Sequence, residues 1–198
     1  YTIIILQDGS ALSAGYIESL DVYSGHLGQD PGVVVEGVNE FRPISPPDAP
    51  KFAKAFGGVE RTPNSGIMHT ILIDSKGQIW ATGSNSQGQL CLGDNVNRMI
   101  PERIPVDVAI VDVAIGSEHT LLLDENGNVY GCGSNAVGQL GLGSTQVTFT
   151  PTKLDILLFP VSSISSGHSH SLFVAQDGGI YYTGFNFFGQ LCVDTEKE

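Results

Sequence analysis

The stretch Gly116-Ser-Glu-His119-Thr120-Leu-Leu-Leu-Asp124-Glu-Asn126-Gly127-Asn-Val129-Tyr130-Gly-Cys-Gly133-Ser-Asn135-Ala-Val-Gly138-Gln139-Leu140 decides the fold of this chain. Leu121-Leu122-Leu123, the pair Asn126-Gly127 and then Val129-Tyr130 form an apolar run, a turn and a second apolar pair. That order predicts a β-hairpin with a type I′ turn, because such turns need positive φ at both central residues and Asn-Gly tolerates it.

The same stretch occurs twice more, spaced by about 50 residues from His69 to His119 to His170, a period at which propellers and solenoids repeat. The earlier copy carries Gly66, His69, Ile71-Leu72-Ile73, Lys76-Gly77, Ile79-Trp80, Gly83, Asn85, Gly88, Gln89 and Leu90. The later copy carries Gly167, His170, Leu172-Phe173-Val174, Asp177-Gly178, Ile180-Tyr181, Gly184, Asn186, Gly189, Gln190 and Leu191. A worn copy opens the chain: Thr2 to Leu6, Asp8-Gly9 and Gly15 keep the offsets of Ser171, Asp177-Gly178 and Gly184, so residues 1 to 15 are predicted to form the same hairpin. After Gly15 the match loosens, with Gly25-His26-Leu27-Gly28 as the displaced counterpart of Gly138-Gln139-Leu140-Gly141.

Upstream runs Ile110 to Val113 and Val161 to Ile164 supply one more strand each, and the stretches toward Pro101 and Pro151 a fourth. Four short antiparallel strands per repeat make one propeller blade. The expected fold class is therefore all-β, with three to four blades in one domain spanning residues 1 to 198. Its parts are a degenerate first repeat (1 to 60), two full repeats (61 to 110 and 111 to 160) and a final partial one (161 to 198).

The recurring residues read as architecture. Gly83, Gly133 and Gly184 are predicted to let backbones approach closely. Asn85, Asn135 and Asn186 bridge turn backbone groups through both ends of the amide, and each following Gly-Gln-Leu sends a leucine between blades. His69, His119 and His170 would converge in a circular array and invite a metal reading, but one histidine per repeat is better explained as a buried imidazole bonding neighbouring backbone. Asp74, Asp124 and Asp177 are expected as surface carboxylates beside turns. No phosphate loop, nucleophile elbow or zinc-protease motif is present, and neither a metal, a cofactor nor a catalytic residue is expected.

Composition agrees with this. Hydrophobic residues make up 41% of the 198 and charged residues only 15%, with 25 glycines, which favours short strands and tight turns over charge-laced helices. A net charge of −12 repels phosphate backbones, which argues against direct binding of nucleic acid or anionic membranes. No apolar run approaches the roughly 20 residues of a membrane span. The three cysteines, Cys91, Cys132 and Cys192, are odd in number and lack finger spacing; they are expected to be buried, unpaired and in an intracellular, reducing compartment. Tyr1 leads directly into Thr2 to Leu6, which reads as an internal cut, a processed end or a start preceded by a leader.

In a repeat fold, departures from the repeat are where specificity can sit. The largest is residues 26 to 65, rich in proline and carrying the basic-aromatic cluster Lys51, Phe52, Lys54 and Phe56, expected as a partner-binding excursion, with a poorly ordered surface loop or insertion as the alternative. The loops Asp94 to Ile100, with Arg98, and Ser144 to Thr150 also differ from each other.

The pattern Gly-x-x-His, apolar run, turn pair, apolar pair, Gly-x-Asn-x-x-Gly-Gln-Leu resembles the repeat of the regulator of chromosome condensation 1 (RCC1) family over residues 60 to 198. That resemblance implies a β-propeller, usually of seven blades, so four units are expected to be part of a larger ring. It also implies a protein-binding role: exchange factor for a small GTPase, ubiquitin-ligase module, photoreceptor or interaction scaffold. Trp80 is the sole tryptophan, which argues against light sensing; no basic tail for chromatin and no room for a ligase domain are seen. The expected function is a non-enzymatic interaction or scaffold module of a larger, eukaryotic-style assembly, with other proteins as partners; the alternative is a guanine-nucleotide exchange factor or regulator of a small GTPase.

Overall fold

A computed structural model describes residues 2–15, 38–44, 50–58 and 68–192. It contains four antiparallel sheets and, among the described residues, no helix. The first sheet is β1 (Thr2–Ile5), β2 (Ala11–Gly15) and β3 (Val38–Pro43). The second is β4 (Phe52–Gly57), β5 (His69–Asp74), β6 (Ile79–Gly83) and β7 (Arg98–Arg103). The third is β8 (Ile110–Ile115), β9 (His119–Asp124), β10 (Val129–Gly133) and β11 (Thr148–Lys153). The fourth is β12 (Val161–Ser166), β13 (His170–Ala175) and β14 (Ile180–Gly184).

These sheets are propeller blades: strands pair in sequence order, and the first strands β4, β8 and β12 of successive blades lie beside one another. In the second and third blades the second strand is the most buried. All six residues of β5 and of β9 are buried, which is why their apolar runs are continuous instead of alternating. Ile71, Ile79, Leu90, Ile104 and Leu122 fill the space between the second and third blades; Leu121, Leu140, Leu154 and Phe173 fill that between the third and fourth.

The hairpins form where expected, but the turns are not type I′. Only the glycine has positive φ (Gly77 +74°, Gly127 +82°), and the Asp74 and Asp124 amides bond to the carbonyls of Gln78 and Asn128. These are three-residue loops, a tight turn closed by a left-handed glycine. Their cause is the carboxylate: Asp74 Oδ1 accepts from the amides of Lys76 (2.8 Å) and Gln78 (2.9 Å), and Asp124 Oδ1 from those of Asn126 (2.9 Å) and Asn128 (2.8 Å). The expected surface position of Asp74 and Asp124 is corrected, since both are buried. Asp177 is two places out of register with them, aligned with Lys76 and Asn126, and caps its own turn through the Gly179 amide.

Two more expectations change. Residues 38–43 and 52–57 are strands of the first and second blades, so the excursion drawn over 26 to 65 is interrupted by regular structure; the Gly25 to Gly28 counterpart and Gly66 lie outside the described residues. The cysteines also differ. Cys91 and Cys132 are buried but joined as a disulfide, with Cα atoms 5.5 Å apart, and Cys192 is exposed. An odd count is one bridge plus one free thiol, so cysteine number carries no information about the compartment here.

That bridge spans two blades. Cys91 has φ +59° at the place held by Gly141 (φ +67°) one repeat later, and Gly141 faces Thr183 as Cys91 faces Cys132. The double variant Cys91→Gly, Cys132→Thr copies the third–fourth blade pair. It is expected to lower stability in oxidising buffer by about 2–4 kcal/mol, the usual worth of a bridge closing a loop of this size. Urea titrations with and without a reductant check this: the wild type should respond to reduction and the variant should not.

Candidate interaction surface

Two kinds of feature separate at the blade edges: residues that latch one blade to the next, and residues that the latch leaves exposed. In the latch, Thr120 Oγ1 donates to the Gln89 carbonyl at 2.7 Å, and His69 Nε2 lies 2.8 Å from the Thr120 hydroxyl oxygen. A hydroxyl has one proton, so Nε2 must carry the proton that His69 donates. One repeat on, Ser171 Oγ donates to the Gln139 carbonyl at 2.6 Å and receives from His119 Nε2 at 3.1 Å. The imidazoles thus bond to a hydroxyl of the next blade, not to backbone as expected. The equivalent His170, in the last described blade, is only half-buried.

The Gly-x-x-His spacing has a steric reason. A Cβ on Gly116 would lie 2.1 Å from the His119 ring, and one on Gly167 2.1 Å from that of His170. Burial holds the imidazoles neutral: His69 is lowered to about 3 and His119 to about 4, with neighbouring histidines adding to the effect. His119 Nδ1 is buried without a hydrogen-bond partner, so a proton there would be a buried charge with nothing to stabilise it.

The loop after each third strand is built alike. Asn85 Oδ1 accepts from the Leu90 amide (2.9 Å) while its Nδ2 donates to the Asp94 carbonyl (2.9 Å). Asn135 does the same with Leu140 and Ser144, and Asn186 Oδ1 accepts from Leu191. Leu90, Leu140 and Leu191 are buried as a result. Gln89 and Gln139 each turn back to accept from the amide two residues earlier, and Gln190 does likewise toward Phe188. Among the described residues no group of three or more His, Cys, Asp or Glu is placed to hold a metal ion.

The basic-aromatic cluster is dispersed by its strand. Phe52 is in the core and meets Trp80 edge-on, Phe56 packs against the interior, and Lys54 Nζ donates to the Val111 carbonyl at 2.6 Å. Lys51 is exposed. Arg98 is held by Asp94 (2.7 Å) and Glu102, so it is a spacer within its own loop.

A different cluster is exposed, and the sequence reading passed over it. Phe185, Phe187 and Phe188 pack on one another with centroids 5.2 to 6.2 Å apart, yet Phe187 and Phe188 are 76% and 81% exposed. The matching residues are Ser84, Ser86 and Gln87 in the second blade and Ser134, Ala136 and Val137 in the third. Ser86, Ala136 and Val137 are exposed and Gln87 is half-buried with a following blade present beside them, so this loop faces solvent in the second and third blades as well. Aligning the repeats and asking where one alone turns aromatic would have found it.

Comparison with known proteins gives the context. The sequence profile "Regulator of chromosome condensation (RCC1) repeat" matches residues 76–123 and 126–174, and a second profile of that repeat matches 110–139. The Arabidopsis thaliana ultraviolet-B receptor UVR8 is 32% identical over 148 residues, 73% of this chain and 34% of that protein. Human WBSCR16 superimposes with a TM-score of 0.74 at 20% identity, over 92% of this chain and 44% of that one. Prp20p from Saccharomyces cerevisiae does so with 0.70 at 21% identity, over 93% and 43%. The chain spans about a third of the length of the curated relative and under half of either solved structure.

Proposed function

Because the chain belongs to the RCC1 repeat family, a family of β-propeller proteins, we propose that it serves as a non-enzymatic protein-interaction module whose contact surface is the aromatic knob Phe185, Phe187 and Phe188. The carrying observation is the exposure of Phe187 and Phe188 at positions where the second and third blades carry no aromatic residue but Ser86 and Gln87, and Ala136 and Val137. Clustered aromatic side chains left in water are costly unless a partner covers them, and aromatic anchors dominate the energetics of protein interfaces. The acidic surface, net −12, favours a partner with a basic rim.

A second reading is regulation of a small GTPase. It is favoured by one observation: the structure of Prp20p was described together with its binding properties to Gsp1p and histones. Light reception is not carried over from UVR8, since the one tryptophan, Trp80, is tied to Asp74 and packed on Phe52.

The test is the double variant Phe187→Ser, Phe188→Ser. Its urea midpoint should stay within about 0.5 kcal/mol of wild type, because both side chains are solvent-exposed. Its affinity for the chain's cellular binding partner, identified by crosslinking and then purified, should fall by tenfold or more. Unchanged affinity would overturn the reading. Accelerated release of labelled GDP from a small GTPase would move the conclusion to the second reading.

A further inference from the structure

The loop that joins β11 to β12, Leu154 to Pro160, differs in chemistry from the loop that joins β7 to β8, Ile104 to Ala109. Counted back from the following strand, Leu158 stands where the earlier loop has Asp107, and Ile156 where it has Pro105. Leu158 is 91% exposed and Ile156 63%. Asp107 and Pro105 are exposed too, in a loop between two blades of four strands each, so these places face solvent beside complete neighbours. An aspartate and a proline suit water there; a leucine and an isoleucine do not.

The loop is firmly held. Between and beside the exposed residues, Leu157 and Phe159 pack on the core shared by the third and fourth blades, and the Leu157 amide donates to the Leu154 carbonyl at 3.2 Å. Two neighbouring turns close on Pro160: the Gln176 amide donates to its carbonyl at 2.9 Å, and a Cβ on Gly127 would lie 2.8 Å from that of Pro160. Alternate residues anchor and display, so the displayed pair reaches a partner with little ordering left to do. Over 125–127, 155–160 and 176–178 the charged side chains are Glu125, Asp155 and Asp177, all exposed; the nearest cation along the chain, Lys153, belongs to β11.

This loop is remote from the aromatic knob. Val161 opens β12 opposite Ala175, the last residue of β13, whereas Gly184, which leads into Phe185, is opposite His170, the first. A strand of that length separates its ends by about 17 Å, so the two apolar sets lie at opposite ends of the fourth blade.

We propose that Ile156 and Leu158 form a second interaction site, additional to the knob, which inserts into an apolar cleft with a basic rim on a partner protein. Leu158 supplies the apolar surface that is buried, and the carboxylates around it select for Lys and Arg at the edge of the cleft. The same carboxylates repel an anionic lipid surface, and the net charge of −12 opposes a second copy of this chain.

The test places a photo-crosslinking amino acid at Asp155, and separately at Asp107 as a control, in the whole protein inside the cells that make it. The protein captured from position 155 is identified, purified and titrated with the unmodified chain. Leu158→Asp should abolish the capture and weaken the measured affinity tenfold or more with an unchanged urea midpoint, whereas Phe187→Ser, Phe188→Ser should leave that affinity as it is. Raising the salt concentration should weaken it, because the rim charges are screened. Capture of a lipid or of a second copy, equal capture from Asp107, no capture, or an affinity that Leu158→Asp leaves unchanged overturns the proposal; a salt-independent affinity overturns the basic rim. Loss of binding in the phenylalanine variant alone would assign that partner to the knob, so the two readings fail separately.

Discussion

Gly133→Ala should destabilise the protein by about 4 kcal/mol or more, an effect larger than most single substitutions produce. The added Cβ would sit 2.4 Å from the Glu118 carbonyl oxygen, 2.8 Å from His119 Cα and 3.2 Å from Gln89 Cα. All three are backbone atoms, so no side chain can swing aside. One belongs to the neighbouring strand, one to the residue just before it and one to the preceding blade, so relief would mean parting strand from strand and blade from blade. The φ of +102° adds strain for any side-chain-bearing residue. The control is Gly143→Ala, at φ +69° with nothing within 4 Å, which should cost only about 1 kcal/mol. Urea titration of the two variants separates contact from conformation: similar losses would show that close packing at Gly133 is not what matters.

Acidification should weaken the fold before its carboxylates titrate. His69 and His119 stay neutral in the folded protein down to about pH 3 and pH 4, whereas in the unfolded chain they protonate near 6.5. Between these values the unfolded state binds more protons, so stability present at pH 7 declines as pH falls below 6.5 and is lost in full only past the folded values. Two such groups give a slope of about 2.7 kcal/mol per pH unit at most, and on the order of 5 kcal/mol between pH 7 and pH 4.5. Denaturant midpoints across that range measure it. His119→Gln, which keeps a donor toward Ser171 and cannot titrate, should roughly halve the slope. A flat profile in the wild type would show that the imidazoles are hydrated and free to protonate.

Both effects come from one arrangement, in which imidazole, hydroxyl and carbonyl join successive blades. The histidines were visible in the sequence as a repeat, and their burial followed from it. Their partners were not visible. Thr120 and Ser171 follow the next histidine in the chain, and only the stacking of blades brings each of them to the imidazole about 50 residues upstream. The Cys91–Cys132 bridge was hidden for the same reason: the two lie 41 residues apart, at different repeat positions that face each other only across a blade interface. Phe52 and Phe56 misled in the opposite direction, since a basic-aromatic cluster in a proline-rich segment looks like an excursion until a strand turns Phe52 inward.

The repeat by itself determined the all-β class, the four hairpins with their approximate strands, and the leucines that fill each interface. Those features depend on local periodicity and on turn residues whose backbone demands are met within a few positions. What only the tertiary structure decided was which departures from the repeat matter. Phe187 and Phe188 stand in water because the second, third and fourth blades turn that loop outward. Exposure is set by what the neighbouring blade covers, a property of the interface and not of the segment, and so it is absent from the local pattern that the sequence carries.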